Sequence, residues 1–314
     1  MADFAGWEMP ILYNGIIAEH KSVRERAGIF DVSHMGQIFI SGPDTVAFLS
    51  YVTTWDMKRQ KDSDCRYCHV LDNNGRIIDD IIAYTFTSEE YMIIPNAATI
   101  ETILSWLLEN SADFDVHIEN LSNDYFCLAL QGPEAPRLLG QHLNTSVKPF
   151  RLIKERNTIV SGTGYTGEKG CEIIGPSEEV KGHWESLVNM GAEPVGLGAR
   201  DTLRLEKGFL LSGQDFDGAQ TTLETNYSWV IDWDHEFIGK TSLISQKDGT
   251  YAKLHGIILD ERGVLRPGLP VFYNGNEVSS LTSGSMSPTI RKGIGLAYLN
   301  LPICLLYTSD AADE

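Results

Sequence analysis

Residues 71–84 read LDNNGRIIDDIIAY. Asn73, Asn74 and Gly75 are turn formers, because Asn and Gly reach positive φ at little steric cost. Ile77, Ile78, Ile81 and Ile82 then predict a buried strand. Two carboxylates, Asp79 and Asp80, interrupt it. Successive strand residues point to opposite faces. Asp80 therefore shares a face with Ile78, Ile82 and Tyr84, and Asp79 with Ile77, Ile81 and Ala83. At least one Asp is expected in apolar surroundings, where an unpaired charge is costly. Such a carboxylate has a chemical task or a structural one, such as capping a helix or pairing an Arg. The sequence leaves both open.

Three bounds narrow the function. A length of 314 residues suits about two domains. A formal charge of −18 argues against a general nucleic-acid binder, which needs a basic footprint. No apolar run approaches the roughly 18 residues of a membrane span, and no signal peptide is visible. The five cysteines are odd in number and scattered, which fits a reducing, cytoplasm-like compartment. Cys65-x-x-Cys68 lacks a second pair. On a strand its two thiols would face opposite ways, so no metal site is assigned.

The chain reads as alternating strands and helices. Residues 1–15 are too rich in aromatic and turn residues for a flexible terminus. Ile16–Ala27 predicts a helix closed by Gly28 as a C-cap. FDVSHMGQIFISG predicts one strand, with His34 near its start. Asp31, Ser33 and His34 lie too close in sequence to form a triad, whose members meet through the fold. Ser41-Gly-Pro-Asp44 opens a second helix. A hairpin follows: Cys65–Leu71, the turn, and Ile77–Thr87. Tyr91–Ile94 predicts a strand. Ile100, Ile103, Leu104, Leu107 and Leu108 then predict an amphipathic helix. Phe126–Leu130 and Gln131-Gly-Pro-Glu134 repeat the pattern of strand, Gly-Pro turn and helix.

Gly162-Thr-Gly164-Tyr-Thr-Gly167 matches GxGxxG, but the dinucleotide reading requires a following helix. Residues 168–176 carry two glycines and a proline instead, so the segment reads as a Gly-rich hairpin. Gly239-Lys-Thr241 mimics a P-loop end, yet Asp234 stands where the loop needs Gly. Val180, Trp184, Leu187 and Val188 predict a helix, and residues 196–206 another. There Arg204 and Glu206 read as a solvated, salt-bridged face. From Ala252 onward, short strands and turns predict a small all-β unit after a polar linker at Gln246–Tyr251.

Five stretches together resemble a known family: FAGWEMPILY, FDVSHMGQ, GRIIDDIIAY, TGYTGEKGCE with GLGARDTLRLE, and LTSGSMSPTI with GIGLAY. In order and spacing they are similar to the aminomethyltransferases, the T-proteins of the glycine cleavage system, from about Asp3 to Pro302. The resemblance implies an α+β fold of two α+β subdomains plus a small C-terminal β-barrel. It divides the chain into a folate-binding part, 1–245, and the barrel, 252–303. It implies transfer of methylene from the aminomethyl-lipoyl arm of an H-protein partner to tetrahydrofolate, with release of ammonia. Carried over by position, it makes Asp80 the acid–base carboxylate, and Asn96, Tyr165, Glu172 and Arg200 the folate pocket. A carboxylate can bind a pterin's donors in pairs, an anionic glutamyl tail wants Arg, and a desolvated Asp can move protons.

The chain departs from the family at Arg76, Pro95, Gly162, Lys169, Ser212 and Leu223. None of these removes a proposed catalytic group, but substrate choice stays open. One alternative is a tetrahydrofolate-dependent demethylase of a small methyl donor. Another is a non-enzymatic folate-binding protein of iron–sulfur assembly. That group carries a Lys-Gly-Cys motif, and here Lys207-Gly-Phe209 stands in its place. Residues 304–314 match nothing in the family and resemble a translated sequencing adapter, so they are expected to be a non-native tail after an incomplete barrel. An acidic carrier would need a local basic patch, with Lys154, Arg156, Lys169 and Arg291 as candidates.

Overall fold

The structure is a computed structural model that describes residues 1–300. The expectation for residues 304–314 lies outside them. The amino terminus is a small hairpin, β1 (Ala2–Phe4) with β2 (Trp7–Met9). Two larger sheets follow, interleaved in the chain. The first has the order β5-β6-β7-β4-β8: Cys65–Leu71, Ile77–Thr87, Glu90–Ile94, Ile38–Ser41 and His117–Asn120. The second has the order β10-β11-β12-β9-β3-β13: Leu152–Glu155, Thr158–Ser161, Gly170–Pro176, Tyr125–Gln131, Gly28–Asp31 and Glu193–Pro194.

The alternation along each strand builds four layers. On β6, Ile81 and Ala83 pack with α2 (Thr45–Val52) and α3 (Ile100–Glu109) through Phe48, Leu49, Ile103 and Leu107. Each fully buried Ile, Leu or Phe among these stabilises the fold by roughly 1.5–3 kcal/mol over leaving it exposed. The opposite face of β6, with Tyr84 and Phe86, packs against Cys127, Ala129, Ile159 and Ile174 of the second sheet. That sheet's outer face holds Leu128, Leu130 and Ile173 against α4 (Ala135–Leu143) and α5 (Val180–Asn189). α1 (Ile16–Glu25) and α6 (Leu197–Glu206) lie together and send Val23, Ala199 and Leu203 into the core between the sheets.

After α7 (Lys240–Lys247) come β14 (Lys253–Ile258), β15 (Pro270–Tyr273), β16 (Asn276–Met286) and β17 (Gly293–Leu299). Among the described residues these form an open antiparallel sheet in the order β14-β17-β16-β15. α7 runs two residues into the linker predicted at Gln246–Tyr251.

Several local expectations hold. The Gly-rich stretch is a hairpin, with Ser161 opposite Glu172 in antiparallel register. Cys65 lies in the core between the sheets and Cys68 in the core under the helices, so their thiols face apart. In the turn before β6, only Gly75 has positive φ, at 76°. The Asp72 carboxylate shapes that turn by accepting from the backbone N–H groups of Asn74 and Arg76.

Three expectations fail. α1 ends at Glu25, and Gly28 begins β3 instead of capping the helix. A Cβ on Gly28 would meet Val23 and Val195 methyls at 2.5 and 2.6 Å, so the strand needs Gly for close packing. The stretch read as one strand is two, because a turn at 33–36 carries the chain from the second sheet to the first. Arg204 and Glu206 are not a solvated face. Arg204 is 1% exposed and pairs with fully buried Asp215 at 2.7 Å, while Glu206 bonds Arg24, Ser287 and Thr289.

Candidate active site

β6 and β12 face each other across the inner core. Asp80 lies on the β6 face that carries Ile82 and Tyr84, and Glu172 on the β12 face that carries Ile174. Tyr84 joins the sheets. Its hydroxyl donates to Glu172 Oε2 at 3.1 Å and hydrogen-bonds Ser161 Oγ at 2.8 Å and Thr163 Oγ1 at 3.0 Å. Thr163 also donates to Glu172 Oε2. Burial and the Glu172 charge push the Tyr84 hydroxyl well above its usual range, so it stays a neutral donor.

Asn96 follows β7 and lies beside the middle of β6. Its side-chain amide donates to Asp80 Oδ1 at 2.6 Å and to Asp79 Oδ1 at 2.8 Å. Asp79 is fully buried and further accepts from Asn96 N at 2.9 Å, Thr99 Oγ1 at 2.6 Å and Ser212 Oγ at 3.2 Å. Burial and the adjacent Asp80 charge push Asp79 up to about 7, against the pull of those donors. Asp80 is half-buried and accepts from Tyr67 Oη at 2.7 Å. Burial raises its carboxyl above the ordinary Asp value, against the donors Tyr67 and Asn96.

Arg200 and Tyr165 complete the group. The Arg200 guanidinium lies 4.8 Å from the Tyr165 ring centroid, within cation–π range. Tyr165 stacks on Phe209 at 5.8 Å and donates to the Leu210 carbonyl. Arg200 Nη1 is buried with no hydrogen-bond partner among the described residues, and so is His34 Nδ1. Burial and the Arg200 charge hold His34 down at about 3, so it is neutral at ordinary pH. The Asp80 charge acts on Tyr165, and the Glu172 charge on Arg200, which ties the five sequence candidates into one neighbourhood.

Sequence reasoning missed the groups that hold these five. Tyr84 was placed on the Asp80 face by alternation, but nothing pointed to its bond with Glu172. Tyr67, Thr99, Thr163 and Ser212 carried no local signal, since their partners come from other strands. Taken together the site offers an adjacent acid pair, one buried and one half-buried, a further carboxylate with oriented hydroxyls, and a guanidinium with one unpartnered nitrogen among the described residues. Such a set can bind a polar, partly anionic heterocycle and exchange a proton with it. No cluster of three or more His, Cys, Asp or Glu side chains among the described residues is arranged to hold a metal.

Comparison with known proteins follows the same lines. The family model of the GCVT N-terminal domain matches residues 1–235. The chain belongs to the aminomethyltransferase family of glycine cleavage T-proteins. The glycine cleavage T-protein C-terminal barrel domain matches residues 253–313, a span that takes in most of the 304–314 stretch expected to be a tail. The aminomethyltransferase of Thermotoga petrophila is 39% identical over 311 residues, 96% of this chain and 85% of that protein. That of Francisella tularensis is 41% identical over 310 residues, 95% of this chain and 86% of its own. The crystal structure of glycine cleavage system aminomethyltransferase T from Bartonella henselae superposes with a TM-score of 0.91 at 30% identity. It covers 95% of this chain and 85% of that one. That structure thus shares the layered fold described above over nearly the whole of this chain.

Proposed function

We propose that this chain takes the aminomethyl group on the dihydrolipoyl arm of a lipoylated H-protein and passes its methylene to tetrahydrofolate, releasing ammonia. The observation that carries the reading is the placement of Asp80 and Glu172 on facing strands, with the Arg200 guanidinium against the Tyr165 ring, Tyr165 feeling the Asp80 charge and Arg200 the Glu172 charge. The residues fit a folate. Arg200 Nη1 is a buried donor without a partner, suited to an anionic tail. Glu172 takes its hydrogen bonds on Oε2, and its Oε1 accepts none among the described residues, which suits it to a pterin's paired donors. The tetrahydropterin supplies the nitrogen that receives the methylene.

The chain's own groups then divide the work. Asn96 and Tyr67 orient the Asp80 carboxylate from its two oxygens. Burial and the Asp215 charge hold its proton affinity above that of a free Asp, which suits a group that exchanges a proton with its substrate. Tyr84 and Thr163 fix Glu172. Lys154 is already paired with Glu90 at 2.8 Å, which leaves Arg156, Lys169 and Arg291 as the freer candidates for carrier docking.

We infer a reducing, cytoplasmic compartment from the four cysteines among the described residues, all buried and free. No helix among the described residues is long and apolar enough to cross a membrane. We infer a division into a folate-binding part, 1–245, and a β part from 252. The test is turnover with loaded H-protein against small methyl donors, each with tetrahydrofolate. Ammonia release from the loaded carrier alone supports the proposal. Turnover of a free methyl donor alone, or folate binding with no turnover, overturns it.

A further inference from the structure

His69 is the register partner of Asp80 across β5 and β6, and Tyr67 lies on the same face of β5, two residues away. Tyr67 Oη donates to Asp80 Oδ2 at 2.7 Å. An ionised carboxylate only accepts, so the single phenolic proton of Tyr67 is committed to Asp80. His69 Nε2 lies 3.3 Å from the same oxygen. With the phenolic proton committed, that contact is a hydrogen bond only if Nε2 carries the hydrogen. Nδ1 is then bare, and the Thr222 hydroxyl, 3.0 Å away, donates to it. Thr222 and His69 are fully buried, so water does not compete for these groups.

The chain therefore runs in one direction: Thr222 to His69, His69 to Tyr67, Tyr67 to Asp80. The ring is neutral, since burial alone pushes its pKa down to about 3. The titratable or charged groups facing Asp80 and Tyr67 are Asp79 on the same strand, Asp215 from the loop after α6, and Tyr165 and Tyr227. Arg204 acts on the two tyrosines. Burial and the Asp215 charge favour the protonated form of Asp80, so a donor aimed at Asp80 opposes them.

We propose that His69 is a positioning residue for Asp80: its Nε2–H tautomer, selected by the Thr222 hydroxyl, aims the Tyr67 proton at Asp80 and keeps that carboxylate ionised in the ligand-free protein. The inference deepens the reading of Asp80 as the acid–base group and rests on it for any consequence in turnover. The hydrogen-bond chain itself does not depend on which substrate is processed.

The experiment is nuclear magnetic resonance on the ligand-free full chain. Imidazole nitrogen shifts report the His69 tautomer, and the Asp80 carboxyl carbon reports its titration. The expected result is Nε2–H across pH 6–8. Tyr67→Phe removes a hydrogen bond to a charged group and raises the Asp80 midpoint by about one pH unit or more. Thr222→Val mixes the tautomers and raises the midpoint by less, and Thr222→Ser restores both. A wild-type Nδ1–H tautomer overturns the proposal, as does an Asp80 midpoint unmoved in Tyr67→Phe. The tautomer is read in the wild type, so a variant that fails to fold leaves the proposal open to refutation. Correct resonance results beside absent carrier turnover would instead fault the assigned reaction.

Discussion

Asp79 and Asp80 are consecutive on one strand, yet both accept from the single side-chain nitrogen of Asn96, at 2.8 and 2.6 Å. Asp79 faces the helices with four donors around it, and Asp80 faces the second sheet with two. One amide thereby couples the buried carboxylate to the one proposed for the chemistry.

Asp80→Asn keeps size and polarity but cannot take up a proton. Its kcat should fall by roughly 10²–10⁴-fold with folate affinity largely kept. Steady-state turnover and folate titration check this. A larger loss of affinity than of kcat would remove Asp80 from the acid–base role.

Asp79→Asn should act first on stability. Each Asp79 oxygen accepts from two donors, so an amide nitrogen at either position faces two N–H or O–H groups. Leaving buried donors unsatisfied costs about 1–3 kcal/mol. Denaturant unfolding at fixed pH measures it, and turnover should fall less than in Asp80→Asn.

The same variant has a pH signature. Asp79 is raised from 3.8 to about 7, so its protonated form favours the fold. That contribution is complete below the unfolded value and is lost as pH rises through about 7. Wild type should therefore lose stability between pH 4 and 7.5 relative to Asp79→Asn. Parallel stability curves for the two proteins would contradict the raised carboxyl.

Glu172→Gln should weaken folate binding by roughly 10–100-fold, the scale of a hydrogen bond to a charged group. Tyr84→Phe should weaken it less, since Thr163 still holds Oε2. Calorimetric titration separates the two. Equal effects would mean Tyr84 itself meets the ligand.

Arg204→Met leaves Asp215 buried without its cation, and breaking such a pair costs about 3–5 kcal/mol. Asp215→Asn should cost less, because the neutral amide can still accept from Arg204. Thermal melts of both variants test the order.

The sequence made the regular parts legible and the junctions illegible. Alternation in IIDDII gave the facing of both aspartates, and the i, i+3, i+4 spacing gave α3. Both signals are local. The turn at 33–36 was hidden because apolar residues flank it on two different sheets, and a run of strand formers carries no mark of which sheet each joins. Arg204 looked solvated because four charges crowd one helix. Asp201 is a local partner, but the groups that bury Arg204, Asp215 and Ser283, lie 11 and 79 residues further on. Periodicity shows which face of a helix is polar, not what arrives to cover it.

α6 carries groups for two places at once. Arg200 turns toward Tyr165, while Arg204, one turn later, grips Asp215 and Ser283, and Glu206 holds Ser287. Ser283 and Thr282 of β16 both donate to Asp215 Oδ1, at 2.7 and 2.5 Å. Linkage is reciprocal: if the proposed anion at Arg200 changes the seating of the carboxy-terminal sheet, that seating changes the anion's affinity by the same factor.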